Sequence, residues 1–139
     1  MPTPELARLS QLALIARVAR LGLAAVFIYH GLVPKIIWLS PQEVAMIAAH
    51  GLGDQASWLA PLAGVLEVLL GLALLLPGRR GPLLLAALVL LALLLDVAWF
   101  VPSLLVQAFN PLSTNLMALC LCAVAYLAET PARPAANPT

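Results

Sequence analysis

Four stretches of this sequence carry almost no charge: Leu14–Val33, Trp58–Leu76, Leu83–Val101 and Pro111–Leu127. Each approaches the roughly 20 helical residues needed to cross a hydrocarbon core about 30 Å thick. Their only charged residues are Arg17, Arg20, Glu67 and Asp96. Hydrocarbon offers backbone groups no hydrogen bonds, so each stretch must satisfy its own as a helix. Composition agrees, since 9% charged residues cannot cover a water-facing surface that ordinarily draws on about 25%. The expected fold is all-α: an integral membrane four-helix bundle with a short extra helix between its first two spans. A net charge of +1 gives nucleic acid nothing to bind. The expected partners are membrane lipid, further copies of the chain or a partner membrane protein.

Residues 14–128 form the transmembrane domain in this reading, with spans at 14–33, 58–76, 83–101 and 111–127. Residues 1–13 form a cytoplasmic N-terminal segment, and the Pro/Ala-rich 129–139 a disordered tail with little to bury. Between the first two spans, SPQEVAMIAAHG predicts an interfacial helix over 41–50. Ser40 is its N-cap, Pro41 its first residue, Glu43 the capping-box partner and Gly51 its stop. On that helix Glu43 and His50 are expected to be solvated. The turn PGRRGP joins the second and third spans tightly, as an antiparallel hairpin. Arg8, Arg17, Arg20, Arg79, Arg80 and Arg133 cluster toward one side, and Lys35 alone falls on the other. The excess of basic residues on the cytoplasmic side then places both termini there, in a bacterial inner membrane. Arg17 can snorkel to headgroups, whereas Arg20 lies deeper and needs a partner.

The remaining ionisable residues gather in the outer half. Ala60, Gly64, Glu67 and Gly71 fall within a roughly 60° arc of a helix. Small residues so spaced mark the face where membrane helices approach closely, which turns Glu67 into the bundle. Lys35 and His30 close the first span, and Asp96 lies in the outer half of the third. Asn110 and Pro111 open the fourth span as N-cap and first residue, with Asn115 in its first turns. His30 and Lys35 are expected to form one wall of an outward-facing polar pocket, opposite Glu67, Asp96 and Asn115. The candidates for ligand or proton binding are therefore Glu67, Asp96, Lys35, His30, Asn110 and Asn115, with Ala60, Gly64 and Gly71 as packing residues. Such acids can also simply lock helices together, and Lys35 can anchor at headgroups. No metal site is expected, because His30, Glu67 and Asp96 come from different helices without ligand spacing. Cys120 and Cys122 point about 200° apart on a helix and do not suit a disulfide with each other. No nucleotide-binding or hydrolase motif occurs.

GLVPK at the end of the first span, GVLEVLLG in the second and NPLSTNL opening the fourth resemble the DoxX-like membrane proteins. The resemblance covers about Leu14 to Leu127 and rests on Gly31, Pro34, Lys35, Glu67, Asn110, Pro111 and Asn115. It does not extend to His30 or Asp96. It implies a compact four-helix bundle and a mixed set of functions. Namesakes are associated with thiosulfate:quinone oxidoreductase and terminal oxidase complexes. Other members are linked to redox stress or quinone handling, and distant relatives to chaperoning or cargo binding. The function expected here is a non-autonomous accessory subunit of a quinone-linked redox system, not an enzyme by itself. It would carry no intrinsic cofactor and would hold a quinone or lipid in the outer half of the bundle. The alternatives are a non-catalytic assembly or chaperone protein, and a small-molecule transporter acting as an oligomer.

Overall fold

A computed structural model describes residues 3–129. Four of its helical segments are long and apolar enough to cross a membrane, and among the described residues there are no strands. The long helices are α1 (Pro4–Gly31), α3 (Ala56–Leu74), α4 (Arg80–Phe100) and α5 (Pro111–Ala128); the short α2 (Pro41–Ala49) follows α1. Large apolar side chains cover the outside: Leu88 is 65% exposed, Leu95 61% and Trp99 83%. The interior holds small residues and a few leucines, with Leu23, Leu74 and Leu83 fully buried. That inversion suits a solvent of acyl chains, in which helices associate through close packing and hydrogen bonds, not through hydrophobic burial.

The first span is longer at both ends than its hydropathy suggests. Thr3 caps α1 by accepting from the Leu6 N–H, with Pro4 at the first helical position, so residues 4–13 are already helical. At the other end Pro34 widens the helix instead of ending it. Proline has no N–H to give the carbonyl four residues back, and its ring crowds that carbonyl. The chain opens into a π turn over Leu32–Ile37, closed by Trp38 N–H donating to the Val33 carbonyl at 2.9 Å. Such wide turns are frequent at functional sites.

α1 packs along α3 and α5, and α4 packs on α5. The glycines of α1 and α3 set this spacing. A Cβ on Gly31 would run into the Gly64 carbonyl oxygen, and one on Gly64 into the Gly31 carbonyl oxygen. Here two backbones touch. The tight turn after α3 does not make α3 and α4 a close-packed hairpin, however. They meet only sparingly, because α4 leans onto α5, and an apolar groove remains between them.

The end of the bundle where α3 turns into α4 is tied by Arg20, 2% exposed. Its guanidinium donates through Nε and NH2 to the two Glu129 carboxylate oxygens, at 2.7 and 2.8 Å. It also donates to the carbonyls of Leu74 at 3.0 Å and Arg79 at 2.8 Å. One side chain of α1 thereby fastens the end of α3, the following turn and the end of α5. Arg80 adds a bond to the Glu129 carbonyl and lies over the Tyr126 ring, 4.9 Å from its centroid. The Arg20 hydrogen bonds hold the Glu129 carboxyl below the usual glutamate range. Glu129, read from sequence as the start of the tail, is thus part of the bundle; the rest of that tail lies outside the described residues.

Candidate functional site

At the opposite end the π turn and the two glycines act together. The wide turn swings Lys35 inward, and Gly64 leaves the room its stem needs. A Cβ on Gly64 would stand 3.0 Å from the Lys35 Cβ. Lys35 is therefore only 8% exposed and donates from Nζ to Glu67 Oε1. Glu67, 9% exposed, shares the buried face of α3 with Ala60, Gly64 and Gly71. Its second carboxylate oxygen, Oε2, is buried and has no hydrogen-bond partner. An unpaired buried acceptor of this kind costs about 1–3 kcal/mol, more when charged. Such an atom calls for a partner that arrives from outside the chain.

Beside this pair lies a cavity of about 130 Å³. Its polar wall is made by His30, Lys35, Glu43, Glu67, Thr114 and Asn115, and α4 adds Leu90, Leu93 and Val97, so all five helices and the π turn contribute to the lining. α2 forms the roof. Ser40 caps it by accepting from the Glu43 N–H at 3.2 Å, and the Glu43 carboxylate comes within 3.8 Å of Lys35 Nζ. Burial pushes the Glu43 carboxyl above its ordinary range, only partly opposed by the Lys35 charge. The far end of α2 is held by His50, whose Nδ1 meets the Met46 carbonyl at 2.8 Å and whose Nε2 meets Asp96 Oδ1 at 2.9 Å. The His50 ring also stacks against Phe100, 4.1 Å between centroids.

The structure redistributes the residues chosen from sequence. Lys35 and Glu67 do not face each other across a pocket but bond directly, with His30 and Asn115 on the same cavity wall. Asn115 also donates from Nδ2 to the Leu90 carbonyl at 3.4 Å. Asp96 does not line the cavity. It is spent on His50, because α2 folds back over the bundle mouth and brings that imidazole to the outer part of α4. No three of the described His, Cys, Asp and Glu residues gather into a metal-binding group. Asn110 stays at its cap, accepting from Ser113 N–H at 2.9 Å and donating to the Gln107 carbonyl at 3.1 Å.

Two residues read as solvated are instead engaged. Glu43 and His50 reach Lys35 and Asp96 because Glu43, Met46, Ile47 and His50 stand at i, i+3, i+4 and i+7, on one face of α2. That spacing was the available signal, since a helix puts such positions on one side. Both cysteines are free, Cys122 buried and Cys120 exposed.

Chemically, the site offers a buried ammonium, a buried carboxylate with one oxygen unused and a second acid at the roof, beside a space that admits a small polar group. No curated protein and no solved structure gives a significant match. Among protein families, the DoxX-like family matches residues 24–123, a stretch that contains Lys35, Glu67, Asp96 and Asn115. The chain belongs to the DoxX-like family.

Proposed function

We propose that this protein is an accessory subunit of a quinone-linked redox system, binding a small polar headgroup in the cavity beside Lys35 and Glu67. The observation that carries the reading is the buried Glu67 Oε2, an acceptor without a partner next to an ion pair and a cavity. A fully satisfied pair in a closed core would argue for structure alone; this one leaves an acceptor unused, and both of its residues line a cavity. The residues present fit a quinone ring. Lys35 or His30 can donate to a ring oxygen, and the Glu67 carboxyl can take or give a proton at that oxygen.

A quinone supplies a two-electron, two-proton couple, and its electrons would come from or go to a redox centre in a partner membrane protein. Lys35 would donate to the quinone oxygen, and Glu67 would accept the O–H of the reduced ring and take its proton. The apolar wall from Phe27 and Val97 limits water at that point. In a bacterial inner membrane, with the arginine-rich end of the bundle on the cytoplasmic side, the cavity lies in the outer half of the bilayer.

Titration of the purified protein with a short-chain quinone tests the reading. Saturable binding, lost in Glu67→Gln, is the expected result. Absence of saturable binding to the wild-type protein overturns it.

A further inference from the structure

We infer that the phosphate of an anionic phospholipid binds at Arg17, in the pocket between α1 and the turn that ends α3, with its glycerol and first methylenes against Leu21 and Leu75. This site lies at the other end of the bundle from the cavity beside Lys35 and Glu67. It stands or falls independently of the quinone reading.

The pocket measures about 290 Å³ and is lined by Arg17, Arg20, Leu21, Leu75 and Pro77. That is close to the roughly 300 Å³ at which small-molecule sites begin, and it suits a headgroup, not a whole lipid. Arg17 is exposed and lines the pocket. Among the described residues its guanidinium has no ion-pair or hydrogen-bond partner. All five of its N–H groups are therefore open to a ligand. The level in the membrane is also right. Leu75 and Pro77 follow directly on the end of α3 at Leu74. The turn there marks where the chain leaves the hydrocarbon, so Arg17, in the same pocket, stands at the height of the headgroups.

Charge selects the headgroup. Arg20 also lines the pocket, it donates to the Arg79 carbonyl, and Arg80 follows in the chain. The carboxylate bound into this group is Glu129, held by Arg20 through both oxygens. Four guanidiniums around one carboxylate leave an excess of positive charge. Basic pockets beside membrane helices take anionic lipid headgroups for this reason, and a guanidinium meets phosphate oxygens with two parallel N–H···O bonds. A choline or ethanolamine headgroup would carry its own cation into the same field and lose much of that attraction. Apolar surface separates a lipid from a free anion. Leu21, 59% exposed, and Leu75, 43% exposed, flank the arginines. A lipid covers that surface and a free phosphate does not.

Native mass spectrometry of the full-length protein in detergent tests the site, with dioleoylphosphatidylglycerol, dioleoylphosphatidylcholine, oleate and glycerophosphate as probes. The variants are Arg17→Gln and Arg17→Lys. Arg8→Gln is the control, an exposed arginine of the same helix that does not line the pocket. Phosphatidylglycerol should bind at least about 5-fold more tightly than phosphatidylcholine, the effect of one basic residue on one charge. Arg17→Gln should weaken it about 10-fold or more, as the loss of a charged hydrogen bond does, and should abolish the preference. Arg17→Lys keeps the charge without the fork and should fall between. Arg8→Gln should stay within about 2-fold of wild type, because a charge more than about 10 Å away is largely screened. The unfolding midpoint without lipid should be the same in all four proteins. Should Arg17→Gln unfold early, Arg17→Lys carries the test, and wild-type affinity in it overturns the inference. So does phosphatidylcholine binding as tightly as phosphatidylglycerol, or an equal loss in Arg8→Gln, which would mean diffuse attraction to the whole helix end. Oleate or glycerophosphate matching phosphatidylglycerol would overturn it too, the first by dispensing with the phosphate and the second by dispensing with the lipid.

Discussion

The two ends of this bundle each bury a basic residue against acids, and they do so to opposite effect. At the end where α3 turns into α4 the Arg20 guanidinium spends its donors on a bidentate Glu129 carboxylate and two main-chain carbonyls. Both Glu129 oxygens are served, and four of the five guanidinium N–H groups are used. At the other end Lys35 serves two carboxylates, Glu67 and Glu43, and one Glu67 oxygen goes without a partner beside a cavity. The planar fork of arginine matches a fixed set of acceptors, whereas an ammonium on a flexible stem can yield to a competitor. A saturated cluster holds helices together; an unsaturated one next to a space is equipped to bind.

If that contrast is right, the largest loss of stability comes from Arg20→Ala. The change strands Glu129 and leaves the Leu74 and Arg79 carbonyls without their donor. Removing one partner of a buried pair costs about 3–5 kcal/mol, read as a lower unfolding midpoint in detergent. Arg20→Met with Glu129→Leu should recover only part of this, because the two carbonyls remain unserved. Full recovery in the double variant would mean that the arginine acts only as a counter-ion, and the contrast would lose one side.

The companion experiment at the other end replaces the pair as a unit, Lys35→Met with Glu67→Leu. Swapping a buried ion pair for apolar residues of similar size is commonly neutral or stabilising by about 1–4 kcal/mol. The double variant should unfold no earlier than wild type and should bind no short-chain quinone. A large destabilisation would show that the pair is a structural fastening like Arg20, and the site would lose its main support.

Acid sharpens the comparison, because Glu129 and Glu43 are displaced in opposite directions. Glu129 is held low by its Arg20 bonds, so its contribution is present above the ordinary glutamate value and lost as pH falls through the lowered one. Glu43 is pushed up by burial, so its contribution is present below the ordinary value and lost as pH rises through the raised one. Acidification should loosen the end of α5 and tighten α2. Amide hydrogen exchange, corrected for the intrinsic rate at each pH, reads both ends in one experiment. Glu43→Gln should flatten the α2 response and leave that of α5 intact. A shared sign at the two ends would contradict the assignment.

How much of this was readable beforehand divides along range. The four spans follow from apolar runs, and the inward turn of Glu67 from the 3.6-residue spacing of Ala60, Gly64 and Gly71, all of which are local properties. The requirement that Arg20 find a partner was also legible. The partner was not, since Glu129 lies 109 residues away, at the start of a Pro/Ala-rich stretch with little to bury. The apolar run read as the first span stops at Val33, and nothing local to Pro34 announces the π turn, beside which Gly31 and Gly64 bring α3 close. Asp96 was assigned to the cavity because a membrane carboxylate needs company. Its company is His50, reached only because α2 folds back over the mouth. Local periodicity reports which face is buried. It does not report which end of a distant helix will meet it.

The smallest effect concerns that fold-back. The His50 ring is partly exposed, and its pKa is raised first by the Met46 carbonyl and next by the Asp96 carboxylate. A raised imidazole contributes stability that is present below its ordinary value of 6.5 and lost as pH rises through the folded one. The bond to Asp96 ties the end of α2 to α4. Above neutrality α2 should therefore exchange its amides faster while α3 and α5 hold steady, and His50→Ala should remove the pH dependence by exchanging faster throughout. Because Ser40 and Glu43 still tether the start of α2, the gradient should run along the helix, steepest near Ala49 and shallow near Glu43. Uniform opening would mean that the roof moves as one piece from the Lys35 side. A gradient from the His50 end means that the cavity's water-facing wall and its ion pair are controlled separately.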